Sequence, residues 1–130
     1  MGHVFVDTNV FVYAVGREHP LREPAQRLLR DRFERRVAMA TSAEVLQELL
    51  HAYLPVGRLD TLDAALRLAA DLTTIWPIDE SDVRAARDLA TSRPGLGARD
   101  LLHLAVCRRY GVDELLSFDR GLVAAFAAKR

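Results

Sequence analysis

The sequence predicts a three-layer α/β fold around a short parallel sheet of four or five strands. Three observations carry that expectation. Four short apolar, β-branched runs alternate with helix-patterned segments, an order that builds a parallel sheet covered on both faces. The 130 residues, half of them apolar and 28% charged, suit one core spanning residues 1–130 and show no linker that would divide it. No apolar run approaches the roughly 20 residues of a membrane helix, and no basic segment followed by an apolar stretch opens the chain, so a cytoplasmic protein is expected.

Taken in order, His3-Val4-Phe5-Val6 reads as a buried strand stopped by Asp7-Thr8-Asn9, residue types that end strands and cap helices; a helix follows. From Arg22 to Arg36, Ala25, Leu28, Leu29, Arg32 and Phe33 recur at helical spacing among arginines and acids, giving an amphipathic helix. Val37-Ala38-Met39-Ala40 is the second strand, ended by Thr41-Ser42. Ser42 caps a helix whose apolar stripe is Val45, Leu46, Leu49, Leu50 and Tyr53, and Pro55 and Gly57 end it. A helix over Asp60–Leu72 leads to a third strand, Thr73-Thr74-Ile75-Trp76, closed by Pro77. Asp79 or Ser81 caps the next helix, which runs through Leu89. Residues 92–97 form a loop, Asp100–Tyr110 a helix stopped at Gly111, and Glu114-Leu115-Leu116-Ser117-Phe118 the fourth strand before a last helix.

Charge identity excludes whole classes of function. Eighteen basic and 18 acidic residues balance, which argues against sequence-independent wrapping of nucleic acid but leaves room for a local basic rim. Lys129 is the one lysine, so there is no P-loop and no candidate for Schiff-base chemistry. Phosphoaspartyl enzymes and receivers, which also place an acid after the first strand, normally need a lysine near a later one, and Asn9 stands where a second Asp is usual. The lone Cys107 can form neither an internal disulfide nor a thiolate metal site and reads as a small core residue; Trp76 also reads as core.

In an open parallel sheet the loops at the carboxyl ends of the strands converge on one edge, where ligands bind. Four acids map there. Asp7 ends the first strand, Glu48 lies two turns into the helix after the second, Asp100 begins the helix before the fourth, and Asp119 follows the fourth. Each has a plain alternative: an N-cap for Asp7, a helix-dipole acid for Asp100, a solvated helix residue for Glu48, a turn former for Asp119. Four converging carboxylates repel one another unless a cation sits among them, and all-oxygen ligation suits Mg²⁺ or Mn²⁺, ions that serve phosphoryl chemistry.

Four segments, Val6-Asp7-Thr8-Asn9-Val10 with Tyr13-Ala14, Thr41-Ser42 with Val45-Leu46-Gln47-Glu48-Leu49, Ala98 through Ala105, and Leu116-Ser117-Phe118-Asp119-Arg120, in this order resemble a PIN-domain ribonuclease of the VapC toxin type. The resemblance spans nearly the whole chain. It implies a metal-dependent endoribonuclease cutting tRNA, rRNA or mRNA, held inactive by a cognate antitoxin protein and forming homodimers. It also implies catalytic and metal roles for Asp7, Glu48, Asp100 and Asp119, with Asn9 and Ser117 as polar, substrate-binding support at the rim. Glu44, four residues before Glu48, offers a rival ligand on the same helical face; Glu48 is preferred because it precedes Leu in the family's pattern. The alternative is a degenerate PIN-like domain that binds RNA or protein without cutting.

Beside the acids, Arg99 and Arg120 form a candidate phosphate-binding rim, while Arg93 reads as ordinary surface. His103, one turn after Asp100, offers a proton shuttle but reads more simply as a helix histidine satisfied by a neighbour, as does His51. The arginines of residues 27–36 alternate with Asp31 and Glu34 and read as a solvated, ion-paired helix face. An antitoxin helix is expected to cover apolar side chains near the first two helices, with Leu28, Leu29, Leu54 and Val56 as candidates.

Overall fold

A computed structural model describes residues 2–128, so Lys129 lies outside the described residues. Strands β1 (Val4–Val6), β2 (Met39–Ser42), β3 (Thr74–Trp76) and β4 (Glu114–Leu116) form one parallel sheet in the order β3-β2-β1-β4. Helices α1 (Thr8–Val15) and α2 (Arg22–Glu34) join β1 to β2. Helices α3 (Ala43–Tyr53) and α4 (Leu59–Leu72), separated by a 3₁₀ turn at Leu54–Val56, join β2 to β3. Helices α5 (Glu80–Ser92) and α6 (Ala98–Arg109) lead to β4, and α7 (Arg120–Ala127) follows it.

The strands β1 and β2 are buried along their whole length, whereas the edge strand β3 is buried only at Trp76. Phe5, Val6, Val10 and Phe11 are fully buried with Val45, Leu49, Val106 and Leu122, tying the central strand to helices α1, α3, α6 and α7. Helices α1 to α4 pack among themselves, and α5 packs on α6 as a separate pair. The chain leaves β1 toward β2 and β3, then crosses to β4 on the other side of β1. The strand order therefore reverses between β1 and β4, where a crevice opens at the carboxyl edge of such sheets.

Several expected boundaries shift, each for a visible reason. The second strand is Met39–Ser42 rather than residues 37–40: Arg36 takes a left-handed φ of 58°, Val37 N–H returns to Arg32 O, and pairing with β1 starts at Met39. Thr41 and Ser42 belong to it because the Thr41 hydroxyl donates to Val6 O at 2.8 Å and Ser42 pairs with Trp76. The fourth strand stops at Leu116 rather than Phe118, since Phe118 N–H turns to Asn9 Oδ1 at 3.1 Å. Helix α5 continues to Ser92, and α6 begins at Ala98, which puts Asp100 third in its first turn. Residues after Phe118 form α7, and the described residues hold no fifth strand.

Two apolar assignments also change. Phe33, placed on the buried stripe of α2 by its spacing, is 59% exposed, while Arg32 is turned inward onto Asp31 and Glu114. Of the side chains expected to form an open patch, Leu29 is buried in the core and Leu28 is partly buried, while Leu54 and Val56 are exposed, with Leu59 exposed beside them. Trp76 and Cys107 are core residues as their setting suggests, Trp76 stacking on Tyr110 with ring centroids 4.0 Å apart.

Candidate metal centre

Asp7 ends β1, and its extended backbone lets one carboxylate oxygen accept from Thr8 N–H at 2.7 Å, capping α1. The other oxygen accepts the Ser117 hydroxyl at 2.6 Å. Ser117 in turn accepts from Asn9 Nδ2 at 3.3 Å and from the Asp119 backbone N–H at 3.0 Å. Asp7, Asn9 and Ser117 thus sew the end of β1 to the end of β4 across the point where the strand order reverses. The polar atoms of Asn9 and Ser117 are committed to this internal support.

Ser42 caps α3 through Val45 N–H and sets the helix that carries Glu48 toward the same edge. Glu48 Oε1 accepts from the Thr8 hydroxyl and lies 3.1 Å from His103 Nε2. His103, on α6 one turn after Asp100, is only 1% exposed and also stands 3.7 Å from Asp7 Oδ1. One ligand atom from each of Asp7, Glu48 and His103 lies within 4.8 Å of the others. The ionised Glu48 carboxylate can only accept, so His103 donates to it from Nε2, while His103 Nδ1 is buried without a partner among the described residues.

The electrostatics show a centre with too much negative charge. Burial pushes the Asp7 carboxyl above the usual range, and nearby Glu48 adds to that, against the opposing pull of His103 and the Ser117 and Thr8 hydrogen bonds. Asp100 is raised by burial and then by the charges of Asp119, Asp7 and Glu48. Burial alone would raise Glu48 too, but the His103 hydrogen bond and charge, the Thr8 hydroxyl and Arg99 together bring it below the usual range. Burial weighs more on Asp7, and His103 sits closer to Glu48 than to Asp7, so the two acids shift in opposite directions. Burial would lower His103, yet the Glu48 bond and the charges of Asp7, Glu48 and Asp100 raise it.

Asp100 therefore belongs to the same field as Asp7 and Glu48. Asp119 reaches that field through Asp100 while one of its oxygens caps α7 at Leu122 N–H, 3.0 Å away. Glu44 feels Glu48, His103 and Arg99 but makes no hydrogen bond among the described residues, so Glu48 is the acid held in the centre. Arg99 Nε is 3.9 Å from Glu48 Oε2 with its side chain half exposed, and Arg120 is exposed at the start of α7. Arg93 is turned instead onto the carbonyls of Ser92 and Ala128, and His51 is exposed on α3.

Two members of the centre escape the sequence reading. Thr8 stands out only as a cap-type residue, and His103 reads as a bystander. The helical period does carry a signal for His103, since three residues after Asp100 is the same face of α6.

The donor chemistry fits a hard divalent cation: Asp7 and Asp100 carry carboxyls whose charge burial and neighbouring acids make costly, and oxygen donors dominate. Comparison with known proteins places the fold. The family model described as PIN domain matches residues 4–127. Ribonuclease VapC23 of Mycobacterium tuberculosis is 58% identical over 123 residues, covering 95% of this chain and 98% of that protein. In fold, the chain is similar to the crystal structure of Mycobacterium tuberculosis VapC20, a sarcin-ricin loop cleaving toxin, with a TM-score of 0.77 at 21% identity, covering 94% of each chain. It is also similar to a chain of VapBC2 from Rickettsia felis bound to a DNA fragment from their promoter, with a TM-score of 0.69 at 18% identity, covering 96% of this chain and 91% of that one. On the match across residues 4–127 and the identity to VapC23, this chain belongs to the PIN-domain family, among the VapC ribonucleases.

Proposed function

We propose that this protein is a Mg²⁺- or Mn²⁺-dependent endoribonuclease that acts as the toxin of a toxin–antitoxin pair. The observation that carries the reading is the juxtaposition of Asp7 and Glu48, with His103, within 4.8 Å at the edge where the strand order reverses, together with the mutual charge effects that tie Asp100, and Asp119 through it, to that centre. Those four acids hold the cation. When bound, it supplies Lewis-acid chemistry for phosphodiester hydrolysis. The chain's own contributions are separate: Ser117 and Asn9 fix Asp7, and Arg99 and Arg120 offer guanidinium groups to RNA phosphates beside the acidic centre. A degenerate, non-cutting domain would have no need of carboxyls held under mutual repulsion, as Asp7 and Asp100 are.

A cognate antitoxin protein is the partner, and the exposed Leu54, Val56 and Leu59 at the α3–α4 turn are the apolar side chains it covers. A homodimer and a cytoplasmic location complete the reading; among the described residues no helix is long and apolar enough to cross a membrane. The test is cleavage of total cellular RNA by the purified chain, with new 5′ ends mapped. Discrete cuts with Mg²⁺ or Mn²⁺ that vanish in EDTA are expected, and RNA bound but never cut under any metal would favour the degenerate domain. Co-expression with the adjacent small reading frame is expected to yield a stable complex, and light scattering reads the oligomeric state.

A further inference from the structure

We infer that Thr8 and His103 form a two-donor clamp that positions Glu48 by fixing its Oε1, leaving Oε2 as the oxygen presented to the cation. The inference rests on the metal reading of the centre. Both donors meet the same atom: the Thr8 hydroxyl and His103 Nε2 each point to Oε1, while Oε2 has no hydrogen bond among the described residues and faces Arg99, at 3.9 Å on a half-exposed side chain. A glutamate carries three side-chain torsions, and an unrestrained one spreads over several rotamers, so two fixed donors on one oxygen decide where the other oxygen sits.

The donors are themselves well anchored. Thr8 is the first residue of α1, its N–H held by Asp7, and His103 is buried in α6 with its ring tilted against Phe5 at 5.8 Å. The clamp therefore ties α3 to the β1–α1 junction and to α6. His103 is not explained by packing alone. Among the described residues its Nδ1 is buried with no partner, a cost that an apolar side chain of similar volume would avoid, and its polar contacts there run to the acids of the centre. Such outer partners orient a metal-binding side chain without touching the ion.

The test is Mn²⁺ binding to the full chain by calorimetry, with thermal unfolding in EDTA, for wild type, Thr8→Val, His103→Leu and His103→Gln. Thr8→Val and His103→Leu are each expected to weaken Mn²⁺ binding about 10- to 100-fold. His103→Leu lowers the metal-free Tm, since it strips the part-buried Glu48 carboxylate of its His103 donor. His103→Gln, whose amide restores a donor near the place of Nε2, recovers most of the affinity. In cleavage assays the loss falls on kcat at low Mn²⁺ and is recovered at high Mn²⁺, with KM for RNA unchanged. Wild-type affinity in both Thr8→Val and His103→Leu would overturn the clamp, as would equal losses of affinity and Tm in His103→Leu and His103→Gln. Pulsed EPR showing nitrogen bonded directly to Mn²⁺ in wild type and lost in His103→Leu would overturn it too, by making His103 a ligand. Absence of any Mn²⁺ binding by wild type would instead sink the metal reading, and the clamp with it.

Discussion

Replacing Ser117 by alanine removes one hydroxyl on which three groups depend. It donates to Asp7 Oδ2 at 2.6 Å and accepts from Asn9 at 3.3 Å and from Asp119 N–H at 3.0 Å. The two accepted bonds are long or exposed, and water replaces them at small cost. The donated one is different, because Asp7 is buried and a hydrogen bond to a charged group contributes roughly 1.5–3 kcal/mol. Ser117→Ala is therefore expected to cost about 2 kcal/mol at about pH 7 in EDTA, a fall in Tm of about 6–10 °C for a chain of this size.

The loss must track the charge on Asp7. Burial already holds that carboxyl above its usual range, so the fold loses stability as pH rises from the unfolded pKa through the folded one. The Ser117 bond opposes this rise, so without it the folded pKa climbs further and the decline continues to higher pH. The gap between wild type and variant should thus widen from acid to neutral pH. In an Asp7→Asn background the bond is between neutral groups and the same Ser117→Ala step should cost only about 1 kcal/mol. Urea unfolding of the four proteins across pH measures this directly. A Ser117→Ala loss that is the same in both backgrounds and at every pH would refute the charge-dependent role of Ser117.

The remaining expectations concern the centre and one helix cap. Asp7→Asn, Glu48→Gln, Asp100→Asn and Asp119→Asn should each abolish RNA cleavage and relieve toxicity while leaving a folded chain by circular dichroism; near wild-type cutting by the Asp7 or Asp100 variant would reject those assignments. Because burial raises Asp7 and Asp100, their ionised forms oppose folding at neutral pH, so in EDTA their amide variants should match or exceed wild-type Tm there. Cleavage should rise from about pH 5.5 to 8.5 as those raised carboxyls ionise, with Mg²⁺ and Mn²⁺ active and Ca²⁺ binding without supporting turnover. At the far side of α5, Asp79 is held at about 2 by the Ser81 hydroxyl and Arg109, so its contribution is present above the ordinary aspartate range and is lost only as pH falls through about 2. Asp79→Ala should lower Tm at neutral pH, with the difference from wild type closing only in strong acid.

The layer order and the four acids were legible in the sequence because both depend on local pattern. Short β-branched runs fix the strands, and acids at their carboxyl ends fall on one edge wherever the exact boundaries lie. What was not legible depended on partners distant in sequence. Val37 and Ala38 look as strand-like as Met39 and Ala40, and only pairing with Val4 decides which of them join the sheet. Phe33 fits the apolar stripe of α2 by spacing, but Arg32 takes the inward position because Glu114, on β4, waits for it at 2.6 Å. The reach of His103 to Glu48 crosses 55 residues, and its position in the chain says nothing of that partner.

The plain readings of the acids turn out not to compete with the functional one. Asp7 caps α1, Asp119 caps α7, and Asp100 sits in the first turn of α6, where the helix dipole favours an acid. A parallel sheet makes this coincidence natural: strands end at one edge, helices begin there, and a capping carboxylate is placed at the crevice by the same geometry that satisfies the helix. Capping consumes one oxygen of Asp119 at Leu122 N–H, and the other remains to face the solvent or a cation. The two roles separate by chemistry rather than by position. Asparagine caps a helix about as well as aspartate, whereas alanine forfeits about 1 kcal/mol of cap, so amide variants isolate the charge and alanine variants mix charge with fold. If Asp119→Asn and Asp119→Ala lose cleavage equally while only the alanine variant loses Tm, the acid serves the centre and the helix independently; equal Tm for both would show that the cap contributes nothing.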